Sequence, residues 1–486
     1  MIHSGRAWAH RYANRPPKLA PTPYLSSYNR AGSSSGNKPL LRTPVFPRRY
    51  ESSMRKAKPN PDDDDTTSSL EILYEADDDL DFNGSLSIPF VLNCPEEPHA
   101  GNPLKYYPNR LGQTLDSGRY EVVRKLGWGG WASVWLAKVL GGSGRENHGH
   151  YAAIKIMSVY ATVHEVQNKF TEMRVGEDLM SQPSTVHSHP GYKHLAVPKR
   201  VFLESSVHGR HLCIVYEPCG PSLEQLLRTK PGGRFSLPMT KNIVRQTLQA
   251  LDFLHEFVGA GHSDVKLSNL LVKLRASDEE LTQYLRTHPA STYEPQYHPL
   301  LMKEPFITVK SQPLPPLGVD EALDDIELCL IDYGAAFYFD SAHPVNTPFV
   351  GSTRTHTPEQ LSRIFPASSV GAIDSWAVGC LVGRCLTGID VFNVDPDTKQ
   401  SNTTRLVHIA QRLGPSAGFP KVPGGPGVVK HVRRIERWLA DFPWARQEMS
   451  REDIDATCRF MRRCFAFDPA DRPSASALLQ DKWLQR

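Results

Sequence analysis

Cysteine is scarce in this sequence: the chain has eight among 486 residues, and no two of them form a C-x-x-C pair. Disulfide scaffolds and zinc ribbons need more cysteines at closer spacing. The scarcity argues against both classes and favours a reducing compartment. Long apolar runs are missing too. No stretch of about 18 apolar residues without a charge occurs, so no transmembrane helix is predicted.

A strong net charge is also absent. Lys and Arg number 56 and Asp and Glu number 52, for a formal net charge of +4. So small an excess gives no global electrostatic reason to expect a nucleic-acid or membrane partner. At roughly 150 residues per domain, the length allows about two or three domains. Hydrophobic residues make up 40% of the chain, so most of it is expected to be globular.

Charge is unevenly distributed over the first hundred residues, which lack a sustained hydrophobic period. Residues 1–50 contain nine Lys and Arg and no acidic residue, whereas residues 51–100 contain three basic and thirteen acidic residues. A segment this rich in Pro, Ser and charge cannot bury enough apolar surface to offset the entropy lost on ordering. We therefore predict a disordered, low-complexity tail over residues 1–100.

The start of this tail allows two further interpretations. Residues 1–15 contain Arg, no acidic residue and scattered apolar residues, as organellar transit peptides do, although Pro16 and Pro17 end any helix early. The basic start and the acidic stretch 62–81 also form a candidate protein-interaction arm. The expected localisation is the cytoplasm, the nucleus or both, or the mitochondrion if the start is a transit peptide.

Sequence patterns typical of a folded domain begin near Tyr106. Strand-like patterns dominate up to Tyr216, interrupted by one predicted helix over about 163–180. From Ser222 onward the apolar residues recur at the helical period. A strand-rich block followed by a helix-rich block predicts an α+β protein of two packed lobes, an N-lobe over about 106–216 and a C-lobe over about 221–486.

A proline-rich segment over about 273–325 interrupts the second block. It contains one predicted short helix, near 277–286. Ordered loops of this length are uncommon inside a compact domain, so the segment is interpreted as an insertion.

A glycine-rich motif, L-G-W-G-G-W-A-S-V-W, occupies residues 126–135. Gly127 and Gly129 lie between two strand patterns. Glycines at such a turn let the backbone approach an anionic ligand and present amide groups to it. Taken alone, a glycine hairpin without a ligand is the simpler explanation.

Lys155 lies within an otherwise apolar strand pattern, residues 152–156. A buried ammonium group is costly unless it is paired. Glu172, on the predicted helix that follows, can supply the carboxylate, with Glu165 and Glu177 as rivals. The alternatives are a lysine that faces solvent and a solvated helix face.

Two polar clusters follow in the second block. His262, Asp264, Lys266 and Asn269 stand within eight residues, a density typical of a loop. The alternative is a catalytic loop in which Asp264 accepts a hydroxyl proton, Lys266 neutralises a transferring phosphoryl group and Asn269 holds a metal ion. Further on, an apolar strand pattern ends at Asp332, before Tyr and Gly. A carboxylate there is well placed to bind Mg²⁺, although a plain turn has the same pattern.

The order of these motifs is more specific than any one of them. A glycine-rich hairpin, a strand Lys, a helix Glu, H-x-D-x-K-x-x-N and D-aromatic-G each occur once, in the order of the protein-kinase signature. Later features agree with it: Thr357-Pro-Glu, whose Glu359 stands 27 residues after Asp332, Asp374 at the start of an apolar helix pattern, and D-P-A-D-R-P at 468–473 before the last predicted helix.

Over about residues 106–486 the chain resembles the eukaryotic protein kinases. The resemblance implies an α+β, bilobal protein kinase fold with a small antiparallel-sheet N-lobe plus one helix and a mainly helical C-lobe. It implies transfer of the ATP γ-phosphate to a protein hydroxyl, with ATP and Mg²⁺ as cofactors. The implied catalytic residues are Asp264, Lys266, Lys155 and Glu172. The implied nucleotide-binding residues are Leu126, Gly127, Trp128, Gly129, Gly130, Val134, Lys155, Glu217 and Cys219, and the implied metal ligands are Asn269 and Asp332.

The same resemblance assigns further roles. Residues 127–134 cover the phosphates, Lys155 holds them, and Glu172 pairs with Lys155. Asp264 is the catalytic base. Residues 217–220 form the hinge, where backbone groups bind the adenine edge. Glu359 and Arg472 form a structural ion pair, and Asp374 caps the backbone of the catalytic loop.

Details resemble the SR-protein kinases, and most of all their fungal branch: L-G-W-G-x-x-x-x-V-W-L, the loop 262–266 without an Arg before Asp264, the position of the insertion, and S-Q-P-L-P at 311–315. The resemblance implies a serine/threonine kinase that acts on arginine/serine-rich proteins and serves mRNA processing. We expect no direct nucleic-acid or membrane partner and a monomer. The competing hypothesis is a catalytically silent kinase fold that serves as a binding module.

Two departures from the family pattern have consequences. Ser263 stands where many kinases have an Arg that receives a phosphate, so we expect activity without phosphorylation of residues 333–356; phosphatase treatment tests this. The run T-R-T-H-T at 353–357 differs from the usual substrate-facing sequence, which leaves the peptide preference open. The helical lobe also shows no clear acidic cluster to recruit an Arg-rich peptide by charge.

Overall fold

The computed structural model describes residue 96 and residues 105–141, 150–167, 169–295, 307–320, 323, 325–339, 355–362, 370–392, 401–414 and 433–485. The predicted tail lies outside these ranges, apart from Glu96. Residues 340–354, which include Thr353, and residues 296–306 of the insertion lie outside them as well. No helix within the described ranges is long and apolar enough to cross a membrane.

A six-stranded antiparallel sheet forms the N-lobe, in the order β1-β2-β3-β4-β6-β5. Its strands are β1 (Thr114–Leu115), β2 (Tyr120–Trp128), β3 (Ala132–Val139), β4 (Tyr151–Met157), β5 (Arg200–Ser206) and β6 (Gly209–Tyr216). Alternating residues such as Ile154 and Ile156 are buried in one face of the sheet. Because side chains alternate across a strand, Lys155 projects from the other face.

Two helices follow β4, not the single helix predicted over about 163–180. They are α1 (Val159–Val166) and α2 (Glu172–Met180). The Glu165 carboxylate of α1 accepts hydrogen bonds from the backbone amides of Glu172 and Met173, at 3.0 and 3.2 Å. These are donors that a helix N-terminus leaves without an intrahelical partner. The single-helix prediction was wrong because the first helix ends at Val166, and the Glu165 side chain then binds the first amides of the second helix.

The C-lobe is mainly helical and begins after β7 (Cys219–Ser222). A three-stranded sheet has the order β10-β9-β7, and a two-stranded sheet pairs β11 with β8. These strands are β8 (Ala260–Gly261), β9 (Leu270–Lys273), β10 (Leu328–Leu330) and β11 (Phe337–Tyr338). The helices are α3 (Leu223–Thr229), α4 (Leu237–Phe253), α5 (Asp278–Thr287), α6 (Pro358–Ser362), α7 (Val370–Thr387), α8 (Asn402–Leu413), α9 (Ile435–Ala440), α10 (Pro443–Glu448), α11 (Arg451–Cys464), α12 (Ala475–Leu479) and α13 (Lys482–Gln485).

Helix α7 runs through the middle of the C-lobe core. Trp376 and Val382 on this helix are completely buried, and its sequence is apolar on nearly every side, as expected of a core helix. The helix begins at Val370, so Asp374 lies inside its first turns rather than at its start. The α+β architecture predicted from the resemblance, a sheet-based N-lobe and a helical C-lobe, is confirmed.

The predicted insertion leaves the C-lobe at the end of β9 and returns at β10. Its predicted short helix is α5, which begins with a reciprocal pair of hydrogen bonds between Ser277 and Glu280. Leu281 of α5 and Leu314 pack against Leu136 of β3, and all three are buried. The described part of the insertion therefore packs, through Leu281 and Leu314, on the face of the N-lobe sheet that also carries Lys155.

Candidate active site

Every residue assigned to the site from the sequence lines one cleft between the N-lobe sheet and the C-lobe. The cleft encloses about 1120 Å³, slightly more than the roughly 300–1,000 Å³ typical of small-molecule sites. The roof contains Leu126, Gly127, Trp128, Gly129, Gly130 and Val134; the interior contains Lys155, Glu172, Asp264, Lys266, Asn269 and Asp332; the rear edge contains Glu217 and Cys219.

The glycine-rich turn connects β2 to β3 above the cleft. It is closed by a hydrogen bond from the amide of Gly129 to the carbonyl of Ala132, at 2.9 Å. A Cβ atom added to Gly127 or Gly129 would meet no atom within 4 Å, so open space borders the turn. The indole of Trp128 is 41% exposed. The turn thus presents backbone, rather than packed side chains, to the cleft.

Lys155 lies between two carboxylates. Its Nζ is 3.0 Å from Glu172 Oε1 and 2.9 Å from Asp332 Oδ1. The same Glu172 oxygen accepts a hydrogen bond from the hydroxyl of Tyr216, at 2.9 Å. Glu172 is therefore the helix carboxylate that meets Lys155, while its rival Glu165 binds the amides at the start of α2.

The charges of this group follow from the geometry. The Lys155 ammonium lowers the pKa of Asp332 to about 2. Burial alone would lower the pKa of Lys155, but the carboxylates of Asp332 and Glu172 outweigh it and raise that pKa above its usual range. At neutral pH Asp332 is therefore ionised and Lys155 protonated.

The loop from His262 to Asn269 places a second carboxylate in the cleft. Asp264 Oδ2 accepts from Lys266 Nζ at 2.6 Å and from the Asn269 amide at 3.0 Å. The Asn269 amide nitrogen also donates to the backbone carbonyl of Asp264, at 2.9 Å. His262 Nε2 bonds to the carbonyl of Ile331, at 3.0 Å, which joins this loop to the strand end that carries Asp332.

Asp374 supports this loop from below. Its carboxylate is completely buried and accepts from the backbone amides of His262 and Ser263, at 2.8 and 2.7 Å, and from His255 Nε2 at 2.8 Å. Ser263 has a positive φ of 65°, a conformation that costs free energy for a residue with a side chain. The hydrogen bonds of Asp374 stabilise that conformation immediately before Asp264.

Helix α2 is attached to the segment that follows Asp332. The Thr171 hydroxyl lies 2.8 Å from the carbonyl of Tyr333 and 3.0 Å from that of Ala336. The Tyr338 hydroxyl donates to Asp178, and the Arg174 guanidinium lies 3.7 Å from the centre of the Tyr338 ring. These contacts fix the helix that carries Glu172 relative to the strand end that carries Asp332.

Two predicted features lie at the margin of the cleft or outside it. The side chain of Glu217 is 73% exposed and lies 3.8 Å from Lys199, so it is the backbone at 217–220 that borders the cleft. Glu359 and Arg472 form a buried, two-point ion pair at 2.6 and 2.7 Å, with Arg472 also over the Trp376 ring. This pair connects α6 to the segment before α12.

Sequence reasoning missed several residues of the cleft. Tyr216 had a strand signal but no pattern that tied it to Glu172, and Glu165 was named only as a rival partner for Lys155, not as the acceptor for the α2 amides. Leu314, in the insertion, lines the cleft beside Leu126, and no local motif indicates that the insertion returns there. The one signal in the sequence was an apolar residue, Leu314, directly after S-Q-P in a proline-rich run.

Comparison with known proteins agrees with this architecture. A sequence profile for the protein kinase domain matches residues 120–293 and 320–484, and leaves unmatched a stretch of the predicted insertion. Protein kinase dsk1 of Schizosaccharomyces pombe is 23% identical over 80% of this chain and 84% of its own length. Serine/threonine-protein kinase SRPK of Physarum polycephalum is 23% identical over 78% of this chain and 88% of its own. SRSF protein kinase 3 of Mus musculus is 32% identical, over 34% of this chain and 27% of its own length.

Proposed function

This chain belongs to the protein kinase domain family, and on that premise we propose that it transfers the γ-phosphate of ATP to serine and threonine hydroxyls of protein substrates. The alternative within the family is a silent fold that only binds. The observation that favours catalysis is the arrangement of the ionic groups: Lys155, Asp264 and Asp332 line one cleft, with Glu172 and Asn269 bonded to them.

The residues present fit a nucleotide with a divalent cation. Asp332 is ionised, and its side chain is 43% exposed to the cleft. The Asn269 side-chain nitrogen donates hydrogen bonds to the carbonyl and to the carboxylate of Asp264, which leaves its oxygen as the ligand atom. Oxygen ligands of this kind suit Mg²⁺, which when bound would neutralise charge on the phosphates. Lys155 and the glycine-rich turn would hold the phosphates themselves.

Asp264 and Lys266 would carry out the proton and charge steps. The Asp264 carboxylate is positioned to orient a substrate hydroxyl and accept its proton as the hydroxyl oxygen bonds to the γ-phosphorus and the bond from that phosphorus to the departing ADP breaks. Lys266, 2.6 Å from Asp264, places a positive charge where negative charge increases during transfer.

For the substrate class, we propose arginine/serine-rich proteins, and hence a role in mRNA processing in the cytoplasm, the nucleus or both. The support is the SR-protein-kinase-like sequence pattern and the names of the relatives, two of which include SRPK or SRSF protein kinase. One contact opposes it. His356, within the run 353–357, lies 3.4 Å from the Arg405 guanidinium, so positive charge is present there.

The test is a phosphate-transfer assay on a peptide array with wild-type protein, Asp264→Asn and Asp252→Asn. Asp252 lies on α4, outside the cleft, and controls for the chemical change. Asp264→Asn is expected to lower the rate roughly 10²- to 10⁴-fold, since it removes the proton acceptor, while Asp252→Asn is expected to keep it. Wild type and Asp264→Asn equally inactive on every peptide would support the binding-only alternative.

The array also separates the substrate classes. It carries Arg/Ser repeats, the same serines without arginine, and serines followed by acidic residues. Preference for the first set supports the proposed substrates. Preference for the acidic set would keep the kinase activity and reject the arginine/serine-rich class.

A further inference from the structure

The hydroxyl of Tyr106 contacts the glycine-rich turn directly. Its oxygen lies 2.7 Å from the backbone carbonyl of Gly129 and 2.7 Å from that of Gly130. Tyr106 is only 3% exposed, and it stands eight residues before the first strand of the sheet. A tyrosine hydroxyl has a single proton to donate, so the two carbonyls share it. The contact reaches the tip of the turn from outside the β2–β3 hairpin.

The orientation of the turn follows from the geometry of the peptide unit. In a trans peptide the C=O and the next N–H point in opposite directions, and the described chain contains no cis peptide. Holding the carbonyls of Gly129 and Gly130 toward Tyr106 therefore turns the amides of Gly130 and Trp131 away from it. The same residues line the cleft. Amide groups that converge in this way are a common binding site for phosphate.

The segment that carries Tyr106 is itself fixed. The carbonyl of Lys105 accepts from the amide of Val159, at 3.1 Å, which ties it to the start of α1. Tyr107 is buried in the core of the N-lobe sheet, where its ring meets His211 edge-on. On the other side of the turn, Trp131 stacks on Tyr160 of α1, with ring centres 5.2 Å apart. The turn is therefore contacted both by Tyr106, whose segment is bonded to α1, and through Trp131, which stacks on α1 itself.

We propose that Tyr106 is a positioning residue for phosphate binding: its hydroxyl fixes the carbonyls of Gly129 and Gly130 so that the neighbouring amides face the nucleotide phosphates. This inference rests on the proposed function, because it presupposes ATP in the cleft. It adds a residue outside every kinase motif in the sequence to the binding machinery. It also makes the segment before β1 part of the nucleotide site.

The neighbouring tyrosine offers a matched control. Tyr106 and Tyr107 are 3% and 4% exposed, and each hydroxyl is hydrogen-bonded. The partner of Tyr107 is the Gln113 side chain, 2.7 Å away and outside the cleft. Tyr106→Phe and Tyr107→Phe thus remove the same atom from similar surroundings, and only the first touches the turn.

The experiment measures binding of Mg·ATP and of adenosine to the full-length wild type and both variants by calorimetry, with melting temperatures recorded. Tyr106→Phe is expected to bind Mg·ATP roughly five- to tenfold more weakly, the effect of losing about one hydrogen bond, and adenosine with unchanged affinity because adenosine has no phosphate. Tyr107→Phe is expected to change neither affinity.

The outcomes separate the two hypotheses. If wild type binds Mg·ATP no more tightly than adenosine, the proposed function fails at its first step and so does this inference. If wild type prefers Mg·ATP and Tyr106→Phe keeps that preference in full, the positioning role is refuted while the proposed function stands. If Tyr106→Phe binds Mg·ATP and adenosine more weakly by the same factor, the variant has a general packing defect and the positioning role is refuted. The same conclusion follows if Tyr106→Phe and Tyr107→Phe weaken Mg·ATP binding equally.

Discussion

Glu165 is a buried carboxylate whose ionised form is disfavoured by its surroundings. It is 2% exposed, and burial and the nearby negative charge of Glu172 raise its pKa to about 7. The amides of Met173 and Glu172 bind it and oppose the rise without cancelling it. The same side chain starts α2, so its ionisation state acts on the helix that carries the partner of Lys155.

The pH dependence of stability follows from that pKa. The pKa of Glu165 is about 7 in the folded state, above the ordinary glutamate pKa of 4.5, so the folded state binds the extra proton. The stability contributed by protonated Glu165 is therefore present at low pH and is lost as pH rises through about 7. Between pH 5 and 8 this loss amounts to about 2–3 kcal/mol.

Glu165→Gln removes the titrating group and keeps one acceptor for the α2 amides. We expect the variant to be about 1 kcal/mol less stable than wild type at pH 5, where one hydrogen bond is lost, and to equal or exceed it at pH 8. Urea unfolding of both proteins at pH 5, 6, 7 and 8 measures the difference. Two curves that stay parallel across this range would show that Glu165 does not titrate as described.

Individual polar residues were predictable where the chemistry imposes a spacing. Asp264 and Asn269 lie five residues apart on one loop and are hydrogen-bonded to each other, so their contact depends only on local sequence. Tyr106 and Glu165 act through backbone groups, on residues 23 and 7 positions away at the nearest. Every residue has a backbone carbonyl and nearly every one an amide, so a contact with these groups leaves no pattern of side chains in the sequence. The roles of Tyr106 and Glu165 could therefore not be predicted.

At the scale of elements, α2 is held in place by the chain that follows Asp332. Thr171 binds two carbonyls of that chain, and Tyr338 of β11 binds Asp178. In protein kinases, phosphorylation of the activation loop can control the position of this helix and of its Lys–Glu ion pair. In this chain the described contacts of α2 are made by the hydroxyls of Thr171 and Tyr338 and by the Arg174 guanidinium over the Tyr338 ring. This agrees with Ser263 in place of an Arg.

Tyr338→Phe keeps the ring under Arg174 and removes the hydroxyl bound to Asp178. A hydrogen bond to a charged group is worth about 1.5–3 kcal/mol, so we expect kcat to fall on the order of tenfold as Glu172 is held less firmly. Phosphate transfer is measured on phosphatase-treated protein, on which wild type is expected to stay active. Tyr151→Phe, which loses a hydroxyl contact to Thr282, serves as the control.

Two results would contradict this account. A wild type that loses its activity on phosphatase treatment would mean that a phosphate, rather than Tyr338, holds the helix. A Tyr338→Phe variant as active as Tyr151→Phe would mean that the Asp178 contact has no part in it.

Elements were predictable where one chain segment determines them. The β2–β3 hairpin and α5 follow from local periodicity and a capping pattern. The division between α1 and α2 does not, because 163–180 has a helical pattern throughout and the break depends on where the Glu165 side chain folds back. The strands β8 and β11 are two residues each and exist only as partners of one another.

At the scale of the molecule, the insertion begins and ends in the C-lobe but connects the two lobes by packing against the N-lobe. Gln312 donates from its backbone to Lys125 of β2, at 2.9 Å, immediately before the glycine-rich turn. Glu96, inside the range predicted as tail, is buried and bonds to both Lys125 and Ser311, at 3.0 and 2.8 Å. The base of the turn is thus held by two segments that lie far from it in sequence.

Leu314 makes this connection part of the cleft. It is 1% exposed, packs with Leu281 and Leu136, and lines the cleft next to Leu126. Sequence periodicity could not predict this contact, since it joins a proline-rich run to a sheet nearly two hundred residues earlier. Packing between distant segments is decided by the shapes of both surfaces, and only one of them belongs to a recognisable motif.

Leu314→Ala separates the role of the insertion in the cleft from its role in stability. The cavity left behind is expected to cost about 2–5 kcal/mol of unfolding free energy. Because the roof residue Leu126 loses its support, we also expect the KM for ATP to rise about fivefold, equivalent to about 1 kcal/mol. Leu484→Ala is the matched control: Leu484 is also 1% exposed but packs in the C-lobe core, outside the cleft. Both variants should melt at lower temperature, and only Leu314→Ala should change the KM. If the two variants raise it equally, or neither does, the insertion stabilises the fold without shaping the nucleotide site.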